Sequence, residues 1–515
     1  MPRLLTRRSV LTSAAKLSPL VLSPALVACG TPPMPAPGQG GDGRRLFTLG
    51  VASGEPLPDG IVLWTRLARQ PLQGGGMGQA PVEVAWELAE DDRMQRIVRK
   101  GTATARAESA HSVHVEVDGL APDRWYWYRF HTPDEDSRIG RTRTAPAPDV
   151  LPDRLRFAVA SCQHYEHGYY TAHRHMAEDD LDLVVWLGDY IYEGRSDPAN
   201  TRPHGMGSAR SLADYRNRYG LYKSDPDLQA SHAARPWIVT WDDHEVQNDY
   251  AGGGQGPDDA RFRARQAAGY QAFYEHMPLR RGAIPAAHTM QLYRGLRFGR
   301  LADFNILDTR QYRDPQACDN GRRLDCAEAL DPARTILGPT QESWLFERFK
   351  RNAARWTVVA QQVPVVERRV RETGVHMDKW DGYVGARDRL FEALGAHRPS
   401  NPVVLTGDVH EAWVGDLKAD FKDPKSRTLG VEFICTSIAS DGNGSIGSDT
   451  RRKVMAAGPH LKYVNGKRGY TRCEVTADLW RADLRTVDHV SRPGASIQTA
   501  ATYVVENGRP GSQKA

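Results

Sequence analysis

The chain has 515 residues and a mass of 57.3 kDa, with 40% hydrophobic and 25% charged residues. This composition is typical of a globular protein larger than one ordinary domain. Since no apolar run approaches the ~20 residues that a transmembrane helix needs, a multi-spanning membrane protein is excluded. The net charge is only +5, and basic residues near the N-terminus supply most of it, which gives no case for specific nucleic-acid binding.

Residues 1–29 have the pattern of an export signal. A basic head precedes a mildly apolar stretch, and residues 6–11 (TRRSVL) resemble the bacterial twin-arginine signal. Residues 26–29 (LVAC) look like a lipoprotein cleavage box, which predicts acylation of Cys29; a plain cleaved signal with an incidental cysteine is the alternative. The segment 30–45, rich in Pro and Gly, is predicted to be a flexible linker. We therefore expect twin-arginine export to the periplasm or cell surface, with a lipid anchor as the only attachment to a membrane.

Residues 46–145 contain short runs in which apolar and polar positions alternate. Residues 82–88, 113–117 and 125–128 follow this period of two, and no helical period competes with it. The segment 119–128 resembles the late strand region of fibronectin-type sandwiches. We therefore predict a small β-sandwich over residues 46–145.

From residue 154 onward, apolar β-branched runs alternate with longer helical patterns, which predicts an α/β fold. Four of the runs stop at residues capable of chemistry: 157–161 at Cys162, 183–188 at Asp189, 237–241 at Asp242-Asp243-His244-Glu245, and 403–407 at Asp408-Val409-His410. In α/β sheets ligands gather at the carboxyl ends of the strands. We therefore expect these residues to meet in one site.

The residue types at these strand ends suit cations. Asp189 and Tyr192 place a carboxylate and a phenol just past a strand, although taken alone they also fit a turn with an aromatic ring beneath it. Burying the acidic group at 242–245 would cost too much desolvation energy without a partner. Asp408 and His410 point to the same side of an extended segment. Together these features favour bound cations over separate hydrogen-bonded turns.

Five motifs, in order along the chain, carry a resemblance to a known family. They are residues 161–162 (SC), 188–193 (GDYIYE), 241–245 (WDDHE), 307–313 (LDTRQYR) and 407–410 (GDVH). This set resembles the PhoD family of alkaline phosphatases, and residues 47–56 and 62–66 resemble that family's N-terminal domain. The resemblance implies a calcineurin-like metallophosphoesterase core over residues 150–500, with two facing mixed β-sheets flanked by helices.

The resemblance also implies a mixed centre of Fe³⁺ and Ca²⁺, at which a metal-activated hydroxide attacks phosphorus. The implied metal ligands are Cys162, Asp189, Tyr192, Asp243, Asp408 and His410. Asp189 would bridge the metals, and His244 would be the catalytic residue that handles protons. Relatives offer a His or Asn after the strand at 356–360, where this chain has Gln361-Gln362, and either amide is a candidate calcium ligand.

Two further pairs of residues lie outside the strand ends. Arg310 and Arg313 are candidates for holding the substrate phosphate, with a salt bridge to Asp308 or another carboxylate as the alternative for either. In an oxidising compartment, Cys318 and Cys326 are the best candidates for a disulfide because they bracket a polar loop.

We expect an exported, monomeric alkaline phosphatase or phosphodiesterase that acts on phosphate mono- or diesters for phosphate acquisition. A phospholipase or a phosphodiesterase of cell-wall polymers on the same core is one alternative. A non-catalytic cell-surface binding protein is another, and the intact residues at all four strand ends argue against it.

Overall fold

The computed structural model of the protein describes residues 45–252, 259–370, 372–445 and 448–515. The predicted export signal, the predicted lipidation site Cys29 and the predicted linker up to residue 44 lie outside the described residues. Within the described ranges, no helix has both the length and the apolar character required to cross a membrane.

The first strands form the predicted β-sandwich. They are β1 (Val51–Gly54), β2 (Gly60–Arg66), β3 (Val82–Ala89), β4 (Ile97–Ala105), β5 (Ser112–Asp118), β6 (Trp125–His131) and β7 (Gly140–Arg143). One layer has the order β4-β3-β6-β7, and the other consists of β1, β2 and β5. Every second residue of these strands points inward, so that Leu63, Val84 and Val115 from the two layers share one apolar cluster.

The remaining strands build two large mixed sheets and one short ribbon. They are β8 (Leu155–Ala160), β9 (Leu183–Leu187), β10 (Trp237–Thr240), β11 (Arg294–Phe298), β12 (Ala302–Ile306), β13 (Arg322–Arg323), β14 (Trp356–Ala360), β15 (Val375–His376), β16 (Pro402–Thr406), β17 (Ala412–Lys418), β18 (Thr428–Ile434), β19 (Leu461–Asn465), β20 (Gly469–Val475), β21 (Leu479–Val487), β22 (Ile497–Glu506) and β23 (Arg509–Lys514). The ribbon consists of β13 and β15.

Seven α-helices are described. They are α1 (Thr171–Glu178), α2 (Leu212–Lys223), α3 (Pro226–Ala234), α4 (Ala260–His276), α5 (Gly338–Arg351), α6 (Val384–His397) and α7 (Ser448–Ala457). Local sequence explains where some of them begin. Ser211 and Asp214 form a capping box at the start of α2, and Asp225 caps α3, which opens with Pro226.

The first large sheet has the order β23-β22-β21-β20-β8-β9-β10-β1-β2-β5, and the second has the order β11-β12-β14-β16-β18-β17-β19. The first sheet therefore includes one layer of the sandwich, because β1 pairs in parallel with β10, with Gly54 opposite Trp237. It also continues past the predicted boundary at residue 500, because β22 and β23 extend it beyond β21.

The two sheets face each other and are covered by helices on their outer faces. Val185 of β9 and Val358 of β14 lie in the apolar cluster between the sheets. Their neighbour residues point the other way: Trp186 packs in the cluster that contains α1–α4, and Val359 in the cluster that contains α5 and α6. Strands buried on both faces require continuous apolar runs, which is the pattern visible in the sequence.

The carboxyl ends of the central strands of both sheets approach each other at one place. Ser161, just after β8, forms a parallel bridge with Ser437, which follows β18. Gly407, just after β16, lies so close to Ser161 that a Cβ at residue 407 would be 2.7 Å from the Ser161 Oγ. The residues that follow the strands are therefore brought together across the two sheets.

Candidate metal centre

The predicted metal ligands meet at this junction. Among the described residues, three groups of side chains place one ligand atom each within 4.8 Å of the others: Cys162, Asp189 and His410; Asp189, Asp243 and His244; and Asp242, Asp243 and Asp408. Asp189 belongs to the first two groups, and Asp243 belongs to the last two. The groups therefore form one continuous cluster large enough for more than one cation.

The backbone at the strand ends adopts a conformation that non-glycine residues rarely take. The residues with positive φ include Cys162 (59°), Asp189 (56°), Asp408 (68°) and His410 (57°). Left-handed backbone at non-glycine residues is often found at functional sites, where the surrounding structure maintains it. Here it accompanies the turn of the chain immediately after three different strands, and it affects four of the six predicted metal ligands.

One side of the cluster is centred on the phenol of Tyr192. This hydroxyl lies 2.9 Å from Asp189 Oδ2 and 3.0 Å from His410 Nε2, and it accepts a hydrogen bond of 2.8 Å from Ser440 Oγ. Cys162 is buried, with its Sγ 3.2 Å from Ser161 Oγ. Burial raises the pKa of both Cys162 and Tyr192 well above their usual values, so a cation is needed to hold them deprotonated.

The other side consists of carboxylates around Arg310. The guanidinium is fully buried, with Nη1 2.7 Å from Asp378 Oδ1 and Nη2 3.4 Å from Asp408 Oδ1. It also forms an ion pair with Asp242. The contact with Asp308 is made by the backbone N–H of Arg310, not by its side chain. In this structure, therefore, the Arg310 side chain makes salt bridges with carboxylates other than Asp308.

Three carboxylate oxygens in the cluster have no hydrogen-bond partner among the described residues, and one of them, Asp408 Oδ2, forms an ion pair with Lys379. The other two are Asp189 Oδ1 and Asp242 Oδ2, both of which are buried. An unsatisfied buried acceptor costs about 1–3 kcal/mol, and more when it is charged. Burial also raises the pKa of Asp189 and Asp242 well above the usual value, so additional positive charge nearby favours their ionised forms. These two oxygens are therefore suited to bind cations.

His244 lies at the edge of the cluster, where Glu193 orients it. The imidazole Nδ1 is 2.7 Å from Glu193 Oε2, and the ring centroid is 4.1 Å from that of Tyr192. Although burial favours the neutral ring, nearby carboxylates, Asp189 foremost, raise the pKa of His244 well above its usual value. The contact with Glu193 favours the protonated imidazole, which is the form that a general acid requires.

Sequence reasoning missed several residues of the site. Glu193 lies within a quoted motif but had no assigned role. Asp378 accepts bonds from Arg310 and Arg313, and Lys379 forms ion pairs with Asp378 and Asp408. Residues 378–379 follow the two-residue strand β15. Such a short strand has no apolar run from which its end could be predicted.

Ser440 and Asp441 were also missed, although a signal for them existed. Asp441 Oδ2 lies 2.7 Å from His410 Nδ1, and this hydrogen bond is the main reason that the pKa of Asp441 is lowered to about 2. Both residues lie in the loop after β18, which is a buried apolar strand of the same kind as the other four. The run that ends at Ile434 could have been recognised as a further strand end.

The side-chain amide oxygens of the two glutamines after β14 accept hydrogen bonds from other parts of the protein. Gln361 Oε1 accepts from Trp380 Nε1 and from Val363 N. Gln362 Oε1 accepts from both the backbone and the hydroxyl of Thr309. Because a carbonyl oxygen has two lone pairs, neither amide oxygen is left to bind a cation in this arrangement.

The cysteines fall into two groups. Cys318 and Cys326 form a disulfide in the structure, as the sequence suggested. Cys162, Cys435 and Cys473 are free and buried. Cys435 is close to the site, since its Sγ is 3.4 Å from Ser161 Oγ.

Comparisons with known proteins agree with this geometry. A PhoD-like phosphatase model matches residues 157–484, and the N-terminal domain model of the same family matches residues 34–146. Alkaline phosphatase D of Bacillus subtilis (strain 168) is 48% identical over 478 residues, which cover 91% of this chain and 82% of that protein.

Solved phosphatase structures also match this chain. A structure of PhoD matches with a TM-score of 0.88 and 48% identity, over 91% of this chain and 92% of that chain. A purple acid phosphatase from yellow lupin (Lupinus luteus) seeds matches with a TM-score of 0.55 and 10% identity, over 89% of this chain and 74% of that chain, and shares the fold alone. The predicted metallophosphoesterase-type α/β fold is therefore confirmed. Since the family models match most of the chain and a relative is nearly half identical to it, the chain belongs to the PhoD-like phosphatase family and is a phosphoesterase.

Proposed function

We propose that this phosphoesterase is exported and hydrolyses phosphate mono- or diesters at a mixed iron–calcium centre, so that the cell acquires phosphate. The observation that carries the proposal is the continuous cluster of buried ligand atoms that includes the unpartnered oxygens of Asp189 and Asp242. A cluster of this charge is unfavourable in a buried position unless cations neutralise it.

The donor atoms fit two different cations. Cys162, Tyr192 and His410 offer a thiolate, a phenolate and an imidazole, a set that suits iron. Asp243 and Asp408 offer carboxylate oxygens, which suit calcium. Asp189 shares a group with ligands of both kinds and is the proposed bridge. Gln361 and Gln362 are not part of this set.

Bound metal ions would supply positive charge that polarises the phosphoryl oxygens and acidifies a nearby water. His244, oriented by Glu193, donates its proton to the leaving oxygen. Arg310 is the proposed phosphate ligand. Its Nη2 lies 3.7 Å from Asp243 and 3.4 Å from Asp408, and cations held by these two carboxylates would leave Nη2 available to an anion. Its Nε and Nη1 would stay paired with Asp242 and Asp378.

The N-terminal sequence supports the location. A twin-arginine pattern at residues 6–11 and a cleavage box that ends at Cys29 support export of the folded protein by the twin-arginine machinery, followed by lipid anchoring. A phosphoesterase outside the cytoplasm releases phosphate from esters that the cell does not import intact. We propose that the enzyme acts there as a monomer.

The test combines metal analysis with an Asp189→Asn variant. Protein purified from the periplasm or membrane fraction should contain iron and calcium, and the variant should lose at least about 100-fold in hydrolysis of p-nitrophenyl phosphate or its bis-ester, because even outer-shell ligands contribute about 10- to 100-fold to metal affinity. Asp416→Asn is a matched control, because Asp416 is a buried carboxylate that binds Ser512 and Lys462 instead. Full activity of Asp189→Asn, or of metal-stripped enzyme, would contradict the proposal.

A further inference from the structure

A cavity of about 260 Å³ opens beside the candidate metal centre. Asp408, one of the proposed metal ligands, is part of its wall, so the cavity lies next to the metal centre. Its volume lies below the about 300–1,000 Å³ that is typical of pockets for whole drug-sized ligands. The space therefore suits one group of a substrate that is already held at the metal centre.

The cavity wall carries three cationic side chains, Arg322, Arg368 and Lys379, and three carboxylates, Asp381, Asp408 and Glu411. Arg368 forms an ion pair with Glu411 at 3.1 Å and stacks over Trp413 at 4.1 Å, which holds it in place, and its Nε has no hydrogen-bond partner among the described residues. Arg322 is exposed, it has no carboxylate within ion-pair distance in the described part of the chain, and its Nη1 donates to Gly374 O at 3.4 Å. Lys379 lines the same space.

The two arginines are close enough to affect each other. Burial is the main effect that lowers the pKa of Arg368; Glu411 opposes this effect, whereas the charge of Arg322 adds to it. The three carboxylates of the wall already have partners. Glu411 pairs with Arg368, Asp381 pairs with Arg387 outside the cavity, and Asp408 pairs with Lys379 and Arg310. Because one guanidinium is uncompensated, an anion that enters the cavity gains attraction without displacing an existing ion pair.

The wall that carries Arg322 is held firmly. Arg322 lies opposite His376 in the ribbon of β13 and β15. The disulfide between Cys318 and Cys326 encloses β13, and Arg323 Nε donates to Cys318 O at 2.9 Å. This ribbon belongs to neither large sheet, so the cross-link stabilises a small element whose residues face the cavity.

His376 adds a neutral donor. Its Nδ1 accepts a hydrogen bond of 3.2 Å from the backbone N–H of Asp378, which leaves the proton of a neutral ring on Nε2. His376 also lines the cavity. Two guanidinium groups and an imidazole N–H are a donor set typical of phosphate recognition.

We infer that this cavity binds a second phosphate group, carried by the alcohol part of the ester, while the first phosphate is held at the metal centre. The inference rests on the proposed phosphoesterase function and extends it to a substrate class: esters whose leaving group bears another phosphate. The preference should appear mainly in KM, because the second phosphate contributes to binding and does not take part in the bond that breaks.

The test compares straight-chain alkanediol bisphosphates of increasing length with alkyl phosphates of the same length. Phosphate release from wild-type enzyme should show a kcat/KM about tenfold higher or more for the best bisphosphate than for its matched alkyl phosphate, since a hydrogen bond to a charged group contributes about 1.5–3 kcal/mol. The Arg322→Gln variant should lose about tenfold in kcat/KM for the bisphosphate and should retain wild-type activity on the alkyl phosphate.

Arg351→Gln is the control, because it removes the same charge from an exposed position of α5 that does not line the cavity. It should keep the wild-type preference. Equal kcat/KM for bisphosphates and alkyl phosphates in the wild type, or an equal loss on both in Arg322→Gln, would overturn the inference. These outcomes differ from a failure of the proposed phosphoesterase function. In that case the wild-type enzyme would hydrolyse no phosphate ester, including p-nitrophenyl phosphate.

Discussion

Glu193 illustrates how single residues control the chemistry of this site. Its Oε2 is 2.7 Å from His244 Nδ1, and its Oε1 accepts from the backbone N–H of Asn248 at 3.0 Å. Although burial opposes ionisation, His244 holds the pKa of Glu193 below its usual value. Glu193 therefore stays charged, and it fixes both the orientation and the protonation of the imidazole.

We predict that Glu193→Gln lowers kcat by about 10- to 100-fold with little change in KM, because the imidazole loses the carboxylate that orients and charges it. Steady-state hydrolysis of p-nitrophenyl phosphate measures both constants. The double variant with His244→Gln serves as the control, since the effect of Glu193→Gln should vanish once His244 is absent. Additive losses in the double variant would show that Glu193 does not act through His244.

The structure also makes a prediction about pH and stability at His173. This residue is fully buried, with its ring centroid 5.7 Å from that of Trp186 and 5.8 Å from that of Trp237, and Nε2 is 2.7 Å from Gln163 Oε1. Burial lowers the pKa of His173 to about 3. An unfolded chain has a histidine pKa of about 6.5, so between these values the unfolded state binds more protons. Stability from the neutral ring is therefore fully present above pH ~6.5 and is lost as the pH falls toward ~3.

We accordingly expect the melting temperature of metal-free protein to fall more steeply on acidification in the wild type than in His173→Gln, which has no group that titrates in this range. The variant should be less stable at neutral pH, because it loses ring packing against the two tryptophans. Scanning calorimetry of both proteins over this pH window gives the comparison. Parallel slopes for the two proteins would show that His173 does not contribute to the acid sensitivity.

At the scale of secondary-structure elements, the site depends on how closely neighbouring strand ends approach. Gly188 directly follows β9 with φ of +108°, and a Cβ at this position would lie 2.5 Å from both the Cβ and the backbone N of Asp242. Contacts this short between side-chain and backbone atoms force the chain to move. Glycine is therefore required where β9 and β10 deliver Asp189 and Asp242 to the same cluster.

We predict that Gly188→Ala separates these two strand ends and reduces both metal content and activity by at least about tenfold, while the protein still folds, because both strands keep their own apolar contacts. Metal analysis, hydrolysis assays and circular dichroism test the three parts. Gly194→Ala is the matched control, because a Cβ at that position meets nothing within 4 Å. Normal metal content in Gly188→Ala would show that the site tolerates this displacement.

At the scale of the whole molecule, the sandwich and the core share one sheet. The parallel pairing of β1 with β10 places β1, β2 and β5 beside the strands that lead to the site. The N-terminal region therefore contributes hydrogen bonds to the sheet that carries Asp189 and Asp242. Damage to the sandwich is expected to affect the catalytic region as well.

The N-terminal signal leads to a prediction about location. We expect Cys29→Ser to release the protein from membranes without loss of activity, because a lipid chain binds a bilayer through about 0.8 kcal/mol for each buried CH₂ group and the catalytic residues lie far along the chain from residue 29. Cell fractionation and mass spectrometry of the N-terminus provide the measurement. Wild-type protein that is wholly soluble and unacylated would contradict the lipid anchor.

The sequence by itself determined the fold class, the family and the residues at four strand ends. The physical reason is that these signals are local: a strand buried on both faces needs a continuous apolar run, and the polar residue that follows it is visible as a break in that run. The runs that end before Cys162, Asp189, Asp242 and Asp408 are of this kind.

Only the tertiary structure decided which partners these residues meet. Asp378 and Lys379 reach the cluster from a loop without a sequence signal, and the amides of Gln361 and Gln362 are occupied by other parts of the protein. The pairing of the sandwich with the core sheet is equally invisible in the sequence. Such contacts join residues far apart in the chain, and they depend on how the sheets pack against each other, a property that no local pattern of residues encodes.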